Sequence, residues 1–258
     1  SPDKADADKY SLNVDGKNFE ALYLFLSGEK TNPSFTEDEV YALLLKQSEY
    51  MRKRFDCADF RAQMLRADVS RLDALILTHK HYDHIAGIDD LRPYASQRTF
   101  PIYANDETAQ QIRSVFPYCF GEVKYPGVPN IELHSIEDMQ PFVIGDAEIE
   151  PIRVFHAVLP IVGYRFGKLA YITDMSRIEP AELDKLKGVE VLVINALRYS
   201  NPHRSHQTVL EALRVVDYLA PRETYFTHMM HHIGLHAKIE KCLPKGVFLA
   251  YDGLEVEI

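Results

Sequence analysis

The chain has 258 residues, 46% of them hydrophobic, and a formal net charge of −9 with a pI near 5.7. That is apolar material for one large domain or two small ones, and the acidic balance argues against a non-specific nucleic-acid binder. Three cysteines, Cys57, Cys119 and Cys242, stand far apart and in odd number; no disulfide framework or Cys-x-x-Cys zinc site is expected, which suits a reducing cytoplasm.

No apolar run approaches membrane-spanning length. No signal peptide is visible, and the start at Ser1 leaves a removed leader open. Residues 1–19 are polar and acidic, with 10–14 a short strand before the Asp15-Gly16 turn. Residues 19–26 are apolar and fit strand or helix, and Asn32-Pro33 marks a loop. Residues 36–55 predict a helix. Thr36 and Glu39 form a capping-box pattern, Val40, Leu43, Leu44 and Met51 make an apolar face, and Lys53 and Arg54 fall in the last turn.

A short apolar run at 72–77 predicts a strand, and 85–91 begins a helix. Between them lies Thr78-His79-Lys80-His81-Tyr82-Asp83-His84. Chemistry in α/β folds sits on such loops, at the C-terminal ends of strands. His79 and His81, two apart, point the same way on extended backbone and can chelate one ion. Asp83 and His84 follow as the chain turns and can reach a second ion a few Å away, as two-metal hydrolysis requires.

Further on, 101–104 predicts a strand and Asn105 caps a helix to about Phe116. Residues 131–136 and 147–155 alternate like half-buried strands, and 163–166 and 169–173 form a hairpin about Gly167-Lys168. A helix over 180–186, a buried strand over 189–196, a helix over 207–219 and a strand over 223–227 follow. A short helix over 236–242 and closing strands over 247–251 and 254–258 complete the pattern. No repeat or linker marks a second domain, so one domain over 1–258 is expected, with 1–55 as extra packing elements.

The H-x-H-x-D-H pattern of His79, His81, Asp83 and His84 resembles that of the metallo-β-lactamase superfamily. The likeness runs from about residue 56, where Asp56 to Leu65 resembles the segment before the metal motif, to the end of the chain. The opening departs from it: neither the usual strand with a Gly-Thr-Gly turn nor a cysteine-rich zinc loop is present. The resemblance implies an α+β fold, a four-layer αββα sandwich with a di-metal site at one edge. It also implies His156 as a further ligand to the first ion, Asp174 as the bridging carboxylate, and His228 as a ligand to the second, chosen over His231, His232 and His236 by the Phe226-Thr227-His228 pattern. His134 and His203 read as structural or solvent-facing.

Ala196-Leu197-Arg198, Pro202-His203-Arg204-Ser205-His206 and Glu211-Ala212-Leu213 resemble the PhnP-like cyclic phosphodiesterase branch, related to tRNase Z. By that likeness His206 contacts the substrate phosphate or leaving group and is not a metal ligand. A near-neutral imidazole suits charge stabilisation and proton donation. Arg198 and Arg204 are candidate phosphate clamps; Tyr164 and Tyr199 are weaker ones.

The resulting expectation is a hydrolase with two divalent ions, Zn²⁺ or Mn²⁺, acting on a small, cyclic or linear, phosphodiester by metal-bridged hydroxide attack. Asp83 and His206 are its catalytic residues. No nucleic-acid or membrane partner is expected, and a homodimer stays open. The alternatives are a tRNase Z-like endoribonuclease, a glyoxalase-II-like thioester hydrolase and a non-catalytic metal-binding protein.

Overall fold

The computed structural model describes residues 60–95, 98–122 and 124–257. These residues belong to one compact unit, Phe60–Ile258. The elements expected before residue 60, including the helix over 36–55, lie outside the described residues.

The chain enters through α1 (Phe60–Arg66) and a short β1 (Leu75–Ile76). After the histidine-rich loop come α2 (Tyr82–Ile85), a 3-10 turn (Ala86–Leu91) and α3 (Arg92–Ala95). The expected helix over 85–91 therefore starts earlier and is mostly 3-10, a form common in such short connecting pieces. β2 (Phe100–Ala104) leads into α4 (Asp106–Val115), where the Asn105 side chain accepts from Thr108 N–H at 3.0 Å as its N-cap.

β3 (Ile131–Ser135), β4 (Phe142–Ile144), β5 (Ala147–His156), β6 (Leu159–Phe166) and β7 (Leu169–Ile172) follow. β8 (Arg177–Ile178) and α5 (Pro180–Asp184) lead to β9 (Val191–Asn195). Next is α6 (Val209–Leu219), whose N-cap Thr208 and Glu211 form a complete capping box. β10 (Glu223–Thr227), α7 (His236–Ile239) and β11 (Val247–Leu249) close the fold. The strand expected over 254–258 does not form; the described part, 254–257, lacks regular structure. Leu254 and Val256 alternate with acidic residues like strand positions, but among the described residues no strand pairs with them.

Two sheets result. β1-β2-β3 is small and parallel; the larger has the order β11-β10-β9-β7-β6-β5-β4, with β8 on β5. Alternation along the strands sorts side chains into separate layers. Phe100, Ile102 and Ala104 face Ile85, Leu91 and Ile112 of the helices outside the small sheet. Ile152, Val154, Ile161 and Ile194 pack with Val209, Val215 and Leu219 of α6 outside the large sheet. Side chains of opposite parity, Ile76 and Tyr103 on one sheet and Ile149, Val162, Tyr164 and Phe166 on the other, fill the space between. The architecture is thus helix, sheet, sheet, helix. Each buried valine or leucine of α6 contributes about 1.5–3 kcal/mol through lost water contact.

Hydrogen bonds join the two sheets where β1 ends. Val162 N–H donates to Thr78 O at 2.9 Å, and the Tyr164 hydroxyl donates to Leu77 O at 2.6 Å. Tyr164 is buried, and burial pushes its phenol above the usual range. It braces the strand end and is no phosphate ligand.

Gly163 on β6 has no room for a side chain beside the end of β7. A Cβ there would run into Ile172 Cδ1 and come within 3.2 Å of Tyr171 O. Gly163→Val should destabilise the protein by about 1–3 kcal/mol through overpacking, seen as a lower midpoint in chemical denaturation; an unchanged midpoint would contradict this packing.

Candidate metal centre

Strand direction assembles the site. β7, β9 and β10 are mutually parallel, so their C-terminal ends lie at one edge of the large sheet. β5 is antiparallel to β6, which is antiparallel to β7, so β5 ends at that edge too. His156 is the last residue of β5, Asp174 lies two past β7, His228 directly follows β10, and His206 is on the loop from β9 to α6. The β1 end, stitched to β6, brings in His79, His81, Asp83 and His84.

The turns off the strands are tight. Asp174 and His228 take left-handed backbone, φ 57° and 54°, which non-glycine residues adopt at a cost of about 1–3 kcal/mol. Surrounding contacts hold Asp174 there. Buried Asn195 at the end of β9 makes two hydrogen bonds to one backbone unit: its Oδ1 accepts from Met175 N–H at 2.8 Å and its Nδ2 donates to Met175 O at 2.9 Å. Gln207 N–H also donates to Met175 O at 2.9 Å.

Asp174 is 2% exposed and sits among imidazoles. His206 Nε2 and His228 Nε2 each lie 3.1 Å from its Oδ1, and the Thr173 hydroxyl donates to Oδ2 at 2.6 Å. Burial opposes the charge, but the His206 hydrogen bond, the His228 charge and Thr173 outweigh it, holding the carboxyl well below the usual carboxylate range. His79, 1% exposed, is pushed down to about 3, first by burial and then by neighbouring His84. His81 and His228 move the same way, chiefly through burial. The centre is therefore an ionised carboxylate near three imidazoles, His79, His81 and His228, that are shifted toward the neutral, metal-binding form.

The second ring nitrogens are tied outward. His156 Nδ1 donates to Asp174 O at 2.9 Å, and Thr78 Oγ1 lies 3.1 Å from His79 Nδ1, leaving each Nε2 for the site. His79 Nε2 and His81 Nδ1 face each other at 2.9 Å. His84 Nε2 is buried without a hydrogen bond, 3.4 Å from both Asp83 Oδ2 and Asp174 Oδ2. A buried ring nitrogen with no hydrogen bond, beside two carboxylates, is an orphan that a cation shared with them would satisfy. Two groupings place ligand atoms within 4.8 Å of one another: His79, His84 and Asp174, and His156, Asp174 and His206. The donor set therefore fits divalent ions, and His206 lies as near the centre as the expected ligands do.

The other candidates have other surroundings. Arg204 is exposed, and Arg198 spends Nη2 on Pro202 O at 2.9 Å within its own loop. Tyr199 packs partly buried against the core of the large sheet. His231 and His232 are exposed and lie ring against ring, and exposed His236 reaches Leu249 O. His134 stacks on Tyr103. His203 is exposed as expected, but its ring also meets His206. Asn195, Thr173 and Ser205 were not legible as site residues, because a polar residue at a strand end carries no pattern until its partner is known.

A four-layer sandwich with six histidines and two carboxylates at one sheet edge defines a hydrolase of the metallo-β-lactamase fold. The chain belongs to that superfamily: residues 44–229 match the family described as "Beta-lactamase superfamily domain". A solved structure described as a new diphosphatase from the PhnP family is 36% identical, with TM-score 0.70, covering 76% of this chain and 74% of that one. The likeness to the PhnP branch is thus one of sequence as well as fold. An octanoyltransferase of Porphyromonas gingivalis is 38% identical over 218 residues, 84% of this chain but 44% of that protein. The exodeoxyribonuclease WalJ of Streptococcus pneumoniae is 29% identical over 188 residues, 70% of this chain and 58% of that protein. The chain spans about half the length of these curated relatives. Among the described residues no helix is long and apolar enough to cross a membrane.

Asn195→Ala leaves Met175 N–H and one of the two bonds to its carbonyl without a partner. We expect a loss of about 1–3 kcal/mol for the orphaned donor and about 10–100-fold weaker metal binding as the Asp174 turn loosens. Denaturation midpoints and metal titration read the two effects; a variant with unaltered metal affinity would show that Asn195 does not support the site.

Proposed function

We propose that this chain is a two-metal phosphodiesterase for a small, cyclic or linear, phosphodiester. His206 is the observation that carries the reading. It presents Nε2 at 3.1 Å from Asp174 Oδ1, with its ring 4.5 Å from that of His156 and 5.0 Å from that of His228. His79, His81 and His156 would hold one ion, Asp83, His84 and His228 the other, and Asp174 would serve both. That leaves His206 surplus to coordination but next to it. Zn²⁺ and Mn²⁺ both suit the donors. Bound there, such ions supply a water of lowered pKa and neutralise charge on the phosphoryl oxygens.

The protein's own part is positioning and proton movement. Asp174 orders the imidazoles around one carboxylate. Asp83 keeps 46% of its side chain exposed, giving it the access to water that a catalytic role requires. His206 passes its Nε2 proton to the departing alkoxide, a poor leaving group when unprotonated. The likeness to a PhnP-family diphosphatase supports phosphoryl chemistry over thioester hydrolysis.

A second reading, cleavage of nucleic-acid phosphodiesters, is favoured by the likeness to WalJ and uses the same residues. The octanoyl transfer named for the Porphyromonas relative belongs to a protein of which this chain covers 44%, so acyl transfer is tested beside the others. A turnover screen of metal-analysed protein on cyclic and linear phosphodiesters, diphosphates, single-stranded DNA, RNA and an octanoyl thioester separates these classes; fastest turnover of the thioester would overturn the proposal.

Elemental analysis should find about two ions per chain, and Asp174→Ala should lose both metal and activity; one ion or none at saturating metal would exclude the two-metal arrangement.

His206→Ala should keep its metal and lower kcat on an alkyl phosphodiester by about 10²–10⁴, with a smaller loss on a nitrophenyl ester, whose leaving group needs no proton. Loss of metal would make His206 a ligand, and equal losses on both substrates would make it a phosphate-binding group.

A further inference from the structure

Three residues before His206, the exposed side chain of His203 is held in a defined orientation. Ser205 N–H donates to its Nδ1 at 3.3 Å, and Ser205 Oγ lies 3.2 Å from the same nitrogen. Ser205 Oγ also lies 3.0 Å from His206 Nδ1, and the two imidazole Nδ1 atoms are 3.2 Å apart. Two histidines and a serine thus close a triangle on the side of His206 that faces away from Asp174.

Donor and acceptor logic fixes its sense. A backbone N–H only donates, so His203 Nδ1 accepts and carries no proton. A carboxylate only accepts, so His206 Nε2 donates toward Asp174 Oδ1. To give up the Nε2 proton and end as a neutral imidazole, His206 must also carry a proton on Nδ1, and that N–H donates to Ser205 Oγ, whose hydroxyl in turn faces His203 Nδ1. The ring is held at both ends. When a substrate oxygen takes the place of Asp174 at Nε2, only the Nδ1 side still holds it. His203 in turn fixes Ser205, since a side-chain acceptor for the N–H two residues on is a turn-forming contact of the Asx type.

We infer that His203, through Ser205, is a positioning residue for His206, fixing the ring so that Nε2 faces the departing oxygen. The inference rests on the reading of His206 as the proton donor. It gives His203, which touches neither the carboxylates nor the other imidazoles of the centre, a place in the reaction.

The experiment compares His203→Ala, His203→Asn, Ser205→Ala and His206→Ala in metal-loaded enzyme on alkyl and nitrophenyl phosphodiesters. His203→Ala and Ser205→Ala should each lower kcat on the alkyl ester about tenfold, the worth of one hydrogen bond, with KM and metal content unchanged and a smaller loss on the nitrophenyl ester. His203→Asn should recover most of the rate, because an asparagine oxygen accepts the same N–H. An Asn variant as slow as the Ala variant, or a raised KM with unchanged kcat, overturns the inference. A leaving-group-dependent loss in His206→Ala with none in His203→Ala overturns it alone. If His206→Ala itself shows no such dependence, the reading of His206 fails and this inference with it.

Discussion

The structure turns on one buried negative charge. Asp174 is almost fully withdrawn from water yet ionised. An isolated carboxylate in that position would cost several kcal/mol or simply take up a proton. Here it is paid for by the His206 N–H, the neighbouring His228 ring and a threonine hydroxyl, and by a backbone turn clamped through Met175. The same crowding acts on the histidines with the opposite sign. Several protonated imidazoles cannot share so small and dry a volume, so His79 stays neutral far below the usual histidine range. A fixed anion among nitrogen lone pairs is what a divalent cation needs, and the protein keeps Asp174 and His79 at its heart out of solvent.

Topology delivers those groups. Parallel neighbours put three strand ends on one edge, and the antiparallel meander from β5 to β7 adds a fourth. The small sheet contributes its ligands from β1, a strand of two residues. So short a strand has little ladder of its own, and its position comes from cross-sheet bonds: Val162 to Thr78 and Tyr164 to Leu77. The buried residues between the sheets therefore do more than fill space. They set the distance between the half of the site carried by one sheet and the half carried by the other.

The legible part of this was local. The spacing of His79, His81, Asp83 and His84 names its own chemistry, and Asn105 announces its helix, because both signals lie within a few residues. His156, Asp174 and His228 needed a family resemblance, since a single residue after an apolar run is ambiguous by itself. Residues 254–257 of the expected closing strand lack regular structure, because alternation speaks to side chains and not to whether a neighbouring strand is present. β4 and β8, two or three residues long, pair only through β5 and carry no periodicity to detect. Asn195 was invisible for the same reason as Tyr164: its meaning lies in a partner twenty residues away in one case and 87 in the other.

The arginines mark the boundary between what holds ions and what would meet substrate. Guanidinium suits a phosphate, so Arg198 and Arg204 in the loop beside His206 were natural candidates. Arg198 is partly committed to its own loop, and Arg204 stands in water. Neither has a contact to the Asp174 carboxylate of the kind His206 and His228 make. In a chain of net charge −9, attraction for an anionic substrate must then arise locally, and the ions are the positive charges the centre is shaped to hold. Affinity and chemistry would thus depend on the same occupants. On the proposed phosphodiester chemistry, discrimination among substrates would fall to the loop that carries His203, Ser205 and His206, whose geometry is set by hydrogen bonds within the loop and to Asp174.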